Sequence, residues 1–321
     1  VRRVIQNLKV NETIKEYFLL TNIQTKLGKN GAYFEMTLAD ASGEIKARKW
    51  DLKEIDYQLY DLLQKELPQV ILVKGFTRQF QQSMDLKVFY LAIPLDDVTI
   101  SISDFLPTAP INVNDAFCEI EDTISSLNNK IIKNIVSQVY QLYKPFLVQY
   151  PASIHGHQGY GGLIWHTLNT IRLCESVYIL YKNMLNRDLL IGGAILHDLA
   201  KIKDYKIEKG IVTKVTDQSK FIGHIVTMAY DVRDTARRLN IDVNTQEVEL
   251  LEHMILSSHG KGEYGSPIEP MIPEAFALHL VDALDTKLGI VHQLLEKTSL
   301  GEWSEWSKIL GQRLKKVVID K

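Results

Sequence analysis

The sequence predicts a multidomain chain, an all-β barrel followed by an all-α helical bundle. Apolar residues alternate strand-fashion from Tyr17 to about Ile102, then recur at helical spacing almost throughout. The stretch Asp104 to Val113 holds Pro107 and Pro110 in a run with no clear period. Proline removes a backbone donor and disfavours a helical residue before it, so this stretch reads as a linker. The expected limits are 1–103 for the β domain, 104–113 for the linker and 114–321 for the α domain, and a chain of 321 residues has room for both cores.

The first expected strand is Tyr17-Phe18-Leu19-Leu20-Thr21, followed by a polar turn over Lys26-Leu27-Gly28-Lys29-Asn30-Gly31. Tyr33 to Leu38 alternates, Asp40-Ala41-Ser42-Gly43 makes a hairpin turn, and Glu44 to Trp50 returns. A helix is expected over Asp51 to Leu67, where Ile55, Leu59, Leu62 and Leu63 share a face. Strands over Gln69 to Phe80 and Met84 to Ile93 complete the set. Five strands with a helix after the third is the layout of an OB-fold barrel. Beyond the linker, helices are expected near 114–148, 163–184, 187–203, 219–240, 245–258, 272–297 and 302–318.

Composition narrows the function classes. Apolar residues at 45% and charged residues at 24% describe a globular chain rather than a disordered one. A formal net charge of −2 carries no global basic signature, so a nucleic-acid partner needs a local basic surface. Cys118 and Cys174 stand far apart in apolar helical contexts, which argues against a disulfide framework and for two buried small side chains. No targeting segment opens the sequence as given, and no apolar run reaches the roughly 18–20 residues of a membrane span. A cytoplasmic protein with no membrane partner is expected, and a homo-oligomer stays open. The first residue is Val, which leaves room for a short preceding piece.

The chemistry-bearing residues are His166, His197-Asp198, His224, His253, His259 and Asp282, each on or at the end of an expected helix. In Ala194-Ile195-Leu196-His197-Asp198-Leu199-Ala200-Lys201 the His-Asp pair interrupts an apolar face, and Lys201 shares that face at helical spacing. Burying imidazoles and carboxylates costs several kcal/mol or more without compensation. A divalent cation compensates many of them at once, and neutral imidazole and carboxylate suit Zn, Mn, Fe or Mg-like ions. One such histidine alone is usually a satisfied core residue. The ordered series, ending in Val281-Asp282-Ala283-Leu284-Asp285, points to a metal.

These residues resemble the HD superfamily of metal-dependent phosphohydrolases. An OB-like domain, a proline-containing linker and an HD domain together resemble the YhaM family of 3′–5′ exoribonucleases over nearly the whole chain. Matching stretches include His157 through Gly161-Gly162-Leu163-Ile164-Trp165-His166-Thr167, Gly223-His224-Ile225-Val226, His253 through Ser258-His259-Gly260, and Glu263-Tyr264-Gly265-Ser266-Pro267. The resemblance implies that His166, His197, Asp198 and Asp282 ligate one metal. It also implies that Asp198 bridges to a second ion held with His224 and His259. Two departures bear on this. Ser258-His259 stands where the family usually has two histidines, which implies a weaker second site or a water in place of the missing ligand; His253 lies within reach in sequence but is not the favoured replacement. Gly156-His157 stands where two histidines are common.

The expected cofactor is a divalent ion, Mn2+ first, with Mg2+, Fe2+, Co2+ or Zn2+ as alternatives. The expected reaction is hydroxide attack on a terminal phosphodiester, releasing nucleoside 5′-monophosphates. Asp198 is the shared ligand, Lys201 a phosphate partner and His157 a contact to phosphate or a proton donor to the leaving oxygen. Asp285 is left between a supporting role and solvent; His155, His279 and His292 read as surface histidines. Tyr264 is a candidate for base stacking. In the β domain, Lys46 and Arg48 share a strand face opposite Ala47, and Phe34 and Trp50 are aromatic candidates. The substrate expected is single-stranded RNA, with single-stranded DNA as a second candidate. Two other readings stay open: a nucleotide or cyclic-dinucleotide phosphohydrolase, and a nucleic-acid-binding protein with a degenerate HD site.

Overall fold

Alternation in the N-terminal third closes a barrel. The computed structural model describes residues 4–29, 31–80, 83–94, 100–153, 157 and 159–317. Strands β1 (Thr13–Gly28), β2 (Gly31–Asp40), β3 (Gly43–Lys49), β4 (Gln69–Phe80) and β5 (Ser83–Ala92) close in the order β1-β2-β3-β5-β4, with helix α1 (Glu54–Lys65) between β3 and β4. β3 and β5 run parallel and the other pairs antiparallel. This is the OB-fold. β1 is far longer than the five residues expected because it serves two neighbours. Its first half pairs with β4 and its second with β2, and a register shift between Leu20 and Asn22 lets it bend from one to the other. Met36 opposite Ala47 and Leu38 opposite Ile45 point into the barrel with Phe18, Ile71 and Leu86. Each large apolar side chain so buried contributes roughly 1.5–3 kcal/mol. The Asp56 carboxylate accepts the Lys53 backbone N–H at 2.8 Å, which fixes the start of α1.

After the linker come α2 (Val113–Ser125), α3 (Lys130–Tyr143), α4 (Gly162–Tyr181), α5 (Arg187–Leu196), α6 (Asp217–Phe221), α7 (Gly223–Arg238), α8 (Gln246–Leu256) and α9 (Pro273–Glu296). The helix expected over 114–148 is two helices, because Asn129 caps α3 by accepting from the Ile131 and Ile132 N–H groups. The helix expected over 187–203 ends as α5 at Leu196 and resumes as a 3-10 turn at Leu199–Lys203. A short hairpin, β6 (Tyr205–Glu208) and β7 (Ile211–Val215), follows where no strand was expected. The helix expected over 302–318 is absent from the described residues. Isolated bridges join Trp303 to Lys315 and Ser307 to Gln312, and Ser304 Oγ accepts the Leu314 N–H at 2.9 Å. Serine bonding to nearby backbone competes with the helix there.

α5 is the centre of the bundle: every residue from Asp188 to Leu196 is buried. The two compact units are Val1–Thr108 with Glu208–Ile211, and Ala109–Ile207 with Val212–Lys321. The break falls inside the expected linker, whose Phe105 and Leu106 are buried against Leu19 and Ala39. Cys174 is buried as expected, whereas Cys118 is exposed, since it lies on the solvent side of α2. Among the described residues, no helix is long and apolar enough to cross a membrane. Asn30, His155 and Gly156 lie outside the described residues.

Candidate metal centre

A glycine pair sets the entry to α4. Gly161 takes a left-handed φ of +80°, and a Cβ on Gly162 would lie 2.2 Å from the His157 carbonyl oxygen. Only glycine lets the chain turn this sharply against its own preceding loop. One turn on, His166 points into the bundle. There it meets His197 and Asp198 from the end of α5, and Asp282 from α9. His166 Nε2 lies 3.3 Å from Asp198 Oδ2, 3.2 Å from Asp282 Oδ1 and 3.3 Å from His197 Nε2. His197 Nε2 is 3.5 Å from Asp198 Oδ2 and 3.8 Å from Asp282 Oδ1. All four residues are buried.

The other carboxylate oxygen of Asp198 faces a second group. His224, at the start of α7, brings Nε2 to 3.6 Å from Asp198 Oδ1, and His259, just after α8, brings Nε2 to 3.8 Å. Asp198 thus presents one oxygen to each group. Donors sharing an ion at bond lengths of 2.0–2.2 Å stand about 3.0–3.5 Å apart. The first group comes close to that spacing with four donors, and the second is looser with three. Asp198 Oδ1, His224 Nε2 and the Ser258 hydroxyl are buried without a hydrogen-bond partner among the described residues. Polar atoms buried in this way carry a desolvation cost that a cation relieves.

The orientation of the histidines follows one rule. His166 Nδ1 bonds to Asp285 Oδ2 at 2.6 Å, and His197 Nδ1 to the Ala194 carbonyl at 2.9 Å. His224 Nδ1 bonds to Asp204 Oδ2 at 2.6 Å, and His259 Nδ1 to the Tyr264 carbonyl at 3.2 Å. Each partner is acceptor-only, so each Nδ1 carries the proton and each Nε2 presents its lone pair to the centre. Metal-ligating histidines are held in this way.

Charge points the same way. Four buried carboxylates, Asp198, Asp204, Asp282 and Asp285, line the two groups or back their histidines, against one ammonium, Lys201, whose Nζ lies 2.5 Å from Asp198 Oδ2. With neutral imidazoles, three negative charges are left for divalent ions to balance. Burial works to raise the Asp198 carboxyl, yet Lys201 and His197 beside it hold it well below the usual range. Burial also pulls Lys201 down, but Asp198 and Asp282 keep its ammonium above the ordinary lysine value. Burial opposes charge on His166 as well, and Asp198, Asp282 and Asp285 outweigh it and raise that imidazole well above normal. His224 goes the other way, pushed down chiefly by burial. A cluster that raises a fully buried imidazole attracts cations. The residues present fit a divalent metal.

The comparisons with known proteins agree with this geometry. The HD domain family matches residues 163–287, which contain all six ligand candidates from His166 to Asp282. The 3′-5′ exoribonuclease YhaM of Listeria innocua is 36% identical over 92% of this chain and 92% of its own length. The protein of that name from Geobacillus sp. strain WCH70 is 32% identical over 94% and 90%, and that of Bacillus velezensis 33% over 92% and 92%. The chain belongs to the YhaM family.

Against that membership, several expected site residues stand elsewhere. His253 is in neither group; its Nε2 accepts the Met271 N–H at 3.0 Å and pins the loop before α9. His157 is buried with Nε2 3.0 Å from Asp285, so it sits behind His166 rather than open to a leaving oxygen. Tyr264 has an exposed ring, while its carbonyl orients His259. Phe34 is wholly inside the barrel and cannot stack on a base. Trp50 lies flat on Tyr33 with centroids 4.1 Å apart. Arg48 is engaged by Asp85 and by Glu35, and Lys46 Nζ donates to Thr37 Oγ1 at 2.7 Å. Sequence reasoning missed Asp204 and left Asp285 undecided. Both hold a ligand histidine from its far side, and the only sequence signal was a carboxylate at helical or near-helical spacing from a ligand.

Proposed function

We propose that this YhaM-family chain is a metal-dependent 3′–5′ exoribonuclease that releases nucleoside 5′-monophosphates, with single-stranded DNA as a second substrate. The observation that carries the reading is the shared orientation of four histidines, each tied through Nδ1 and turned through Nε2 onto Asp198 or Asp282. Family membership supplies the polarity and the RNA substrate.

His166, His197, Asp198 and Asp282 would hold a first ion, and Asp198, His224 and His259 a second. A divalent ion there supplies a water of lowered pKa and a polarised phosphoryl oxygen. We favour Mn2+, since mixed imidazole and carboxylate donors suit it. Lys201 keeps Asp198 ionised and fixes its Oδ2, and its ammonium is the positive group nearest that oxygen for a phosphate to meet. Asp285 holds the proton on His166 Nδ1, and His157 steadies Asp285 in turn. Tyr264, whose backbone carbonyl orients His259, offers its exposed ring to the terminal base.

The test is a time course on 5′-labelled single-stranded RNA with Mn2+, Mg2+ or chelator. The expected result is a metal-dependent ladder shortening toward the label, with mononucleotides released. Hydrolysis of mononucleotides or cyclic dinucleotides alone would move the chain to the phosphohydrolase reading. Intact RNA with every metal, alongside a bound complex, would support a binding protein with a degenerate site.

A further inference from the structure

OB barrels bind single strands across β2 and β3. In this barrel Arg48 on that face is engaged by Glu35 and Asp85, Lys46 beside it donates to Thr37 Oγ1 at 2.7 Å, and Lys26 on the adjoining β1 pairs with Glu35 at 2.6 Å. The wall formed by β1, β4 and β5 is different.

Two rows cross that wall in register. Lys15 on β1 lies opposite Lys74 on β4, which lies opposite Tyr90 on β5. In the next outward row Thr13 lies opposite Phe76, and Phe76 opposite Lys87. Between these rows the β4–β5 register shifts: Lys74 pairs with Tyr90 and Gly75 with Val88, leaving Phe89 as the extra residue of a bulge. A bulge re-aims side chains. Here it puts two successive aromatics outside, Phe89 at 55% and Tyr90 at 48% exposure, where strict alternation would bury one of them. Lys74 Nζ stands 5.0 Å from the Tyr90 ring centroid. Among the described residues, no carboxylate pairs with Lys15, Lys74 or Lys87. The wall therefore interleaves unneutralised ammonium groups with exposed rings.

We propose that this β1–β4–β5 wall is a binding face for single-stranded RNA. Phe89 and Tyr90 stack on bases, and Lys15, Lys74 and Lys87 meet the phosphates. Stacking takes any base, and the lysines neutralise backbone charge, so the face grips a strand without reading its sequence. Such a grip suits an enzyme that shortens RNA of any sequence, and in this respect the inference rests on the exoribonuclease reading.

The experiment measures binding of labelled oligouridylate to the full chain across a salt series, with chelator present so that the RNA stays intact. Phe89→Ala with Tyr90→Ala is expected to weaken binding about 30-fold or more. Tyr90→Phe keeps the ring and is expected to keep the affinity. Lys15→Ala, Lys74→Ala and Lys87→Ala together are expected to flatten the slope of log K against log salt by about 2. All these side chains are at the surface, and a thermal melt checks that each variant is folded. Wild-type affinity and slope in both the aromatic and the lysine variants would overturn the proposal. So would a change of oligomeric state with RNA affinity intact, since the wall would then be a protein contact. Wild-type turnover of RNA and of bis(p-nitrophenyl) phosphate with Mn2+ is measured in parallel. If the wild type cleaves neither yet the variants bind RNA less well, the exoribonuclease reading fails and the wall stands. If RNA is cleaved and variant binding is unaltered, the wall alone fails.

Discussion

Replacing Asp285 by asparagine keeps the size of the side chain and removes its charge. Asp285 is buried and uses both oxygens, and among the metal ligands it bonds His166. Oδ2 accepts from His166 Nδ1 at 2.6 Å and from His157 Nε2 at 3.0 Å, while Oδ1 accepts from Asn169 Nδ2 at 3.0 Å. The carboxylate sits below its usual pKa range: burial works to raise it, and the bonds from His157 and His166 outweigh burial. An amide has one acceptor oxygen where the carboxylate has two. Whichever way the new amide turns, its NH2 group faces a donor, either the two imidazoles or the Asn169 side chain. With the NH2 toward the imidazoles, His166 loses either its orientation or the proton on Nδ1; with the oxygen toward them, it keeps only a neutral and weaker acceptor. Loss of such a supporting contact costs about 10–100-fold in metal affinity, or about 1.4–2.8 kcal/mol. Calorimetric titration of Mn2+ into chelator-treated protein measures the affinity directly. The thermal stabilisation by a fixed excess of Mn2+ is expected to shrink by about the same 1.4–2.8 kcal/mol. The metal-free chain should also lose stability at neutral pH, because the bonds from His157 and His166 that hold the Asp285 carboxyl below its usual range favour the folded state. Mn2+ affinity and RNA turnover both at the wild-type level would refute the reasoning, because His166 would then need no carboxylate behind it.

Three further outcomes are expected. Asp198→Ala should abolish RNA turnover while leaving strand binding largely intact, measured by gel assay and filter binding, because Asp198 is common to both ion-holding groups. Asp204→Asn removes the charged acceptor from His224 Nδ1. It should weaken the second Mn2+ site by about 10-fold or more and leave the first near wild type, as read from the two steps of a titration. Gly162→Ala forces a methyl to 2.2 Å from the His157 carbonyl. It should lower stability by about 1–3 kcal/mol or more, measured by denaturant unfolding with metal chelated.

The fold was legible where a local period settles it. Alternation over Tyr33–Leu38 and Glu44–Trp50, joined by a four-residue turn signal, finds two barrel strands whose observed bounds are Gly31–Asp40 and Gly43–Lys49. What alternation does not give is which parity faces inward beside a neighbouring aromatic. Tyr33 and Phe34 are adjacent, and only the barrel's closure sends Phe34 into the core. Arg48 looked free for the same reason: its partner Asp85 is 37 residues away, on a strand that pairs in parallel with β3. The bulge at Phe89 depends on the β4 register and leaves no mark in composition. The helix expected over 302–318 failed because Ser307 and Ser304 turn inward and accept the Leu310 and Leu314 N–H groups.

The candidate metal centre was more legible than the proposed RNA-binding wall. His197-Asp198 with Lys201, His166 on α4, His224 on α7 and Asp282 on α9 are interruptions among apolar neighbours that a single sequence reveals. Asp204 and Asp285 were harder, because a carboxylate that supports a histidine is distinguishable from a surface one only when the opposing helix is in place. His253 shows the converse. It has the sequence position of a ligand and the geometry of a loop pin.

The measurement that tests the central claim most directly is a Mn2+ titration of chelator-treated protein, followed by electron paramagnetic resonance, with His197→Ala alongside. The account predicts a tight site in the wild type that is lost in His197→Ala, with a weaker second site through His224 and His259. No tight site in the wild type, or a tight site unaltered in His197→Ala, would contradict it.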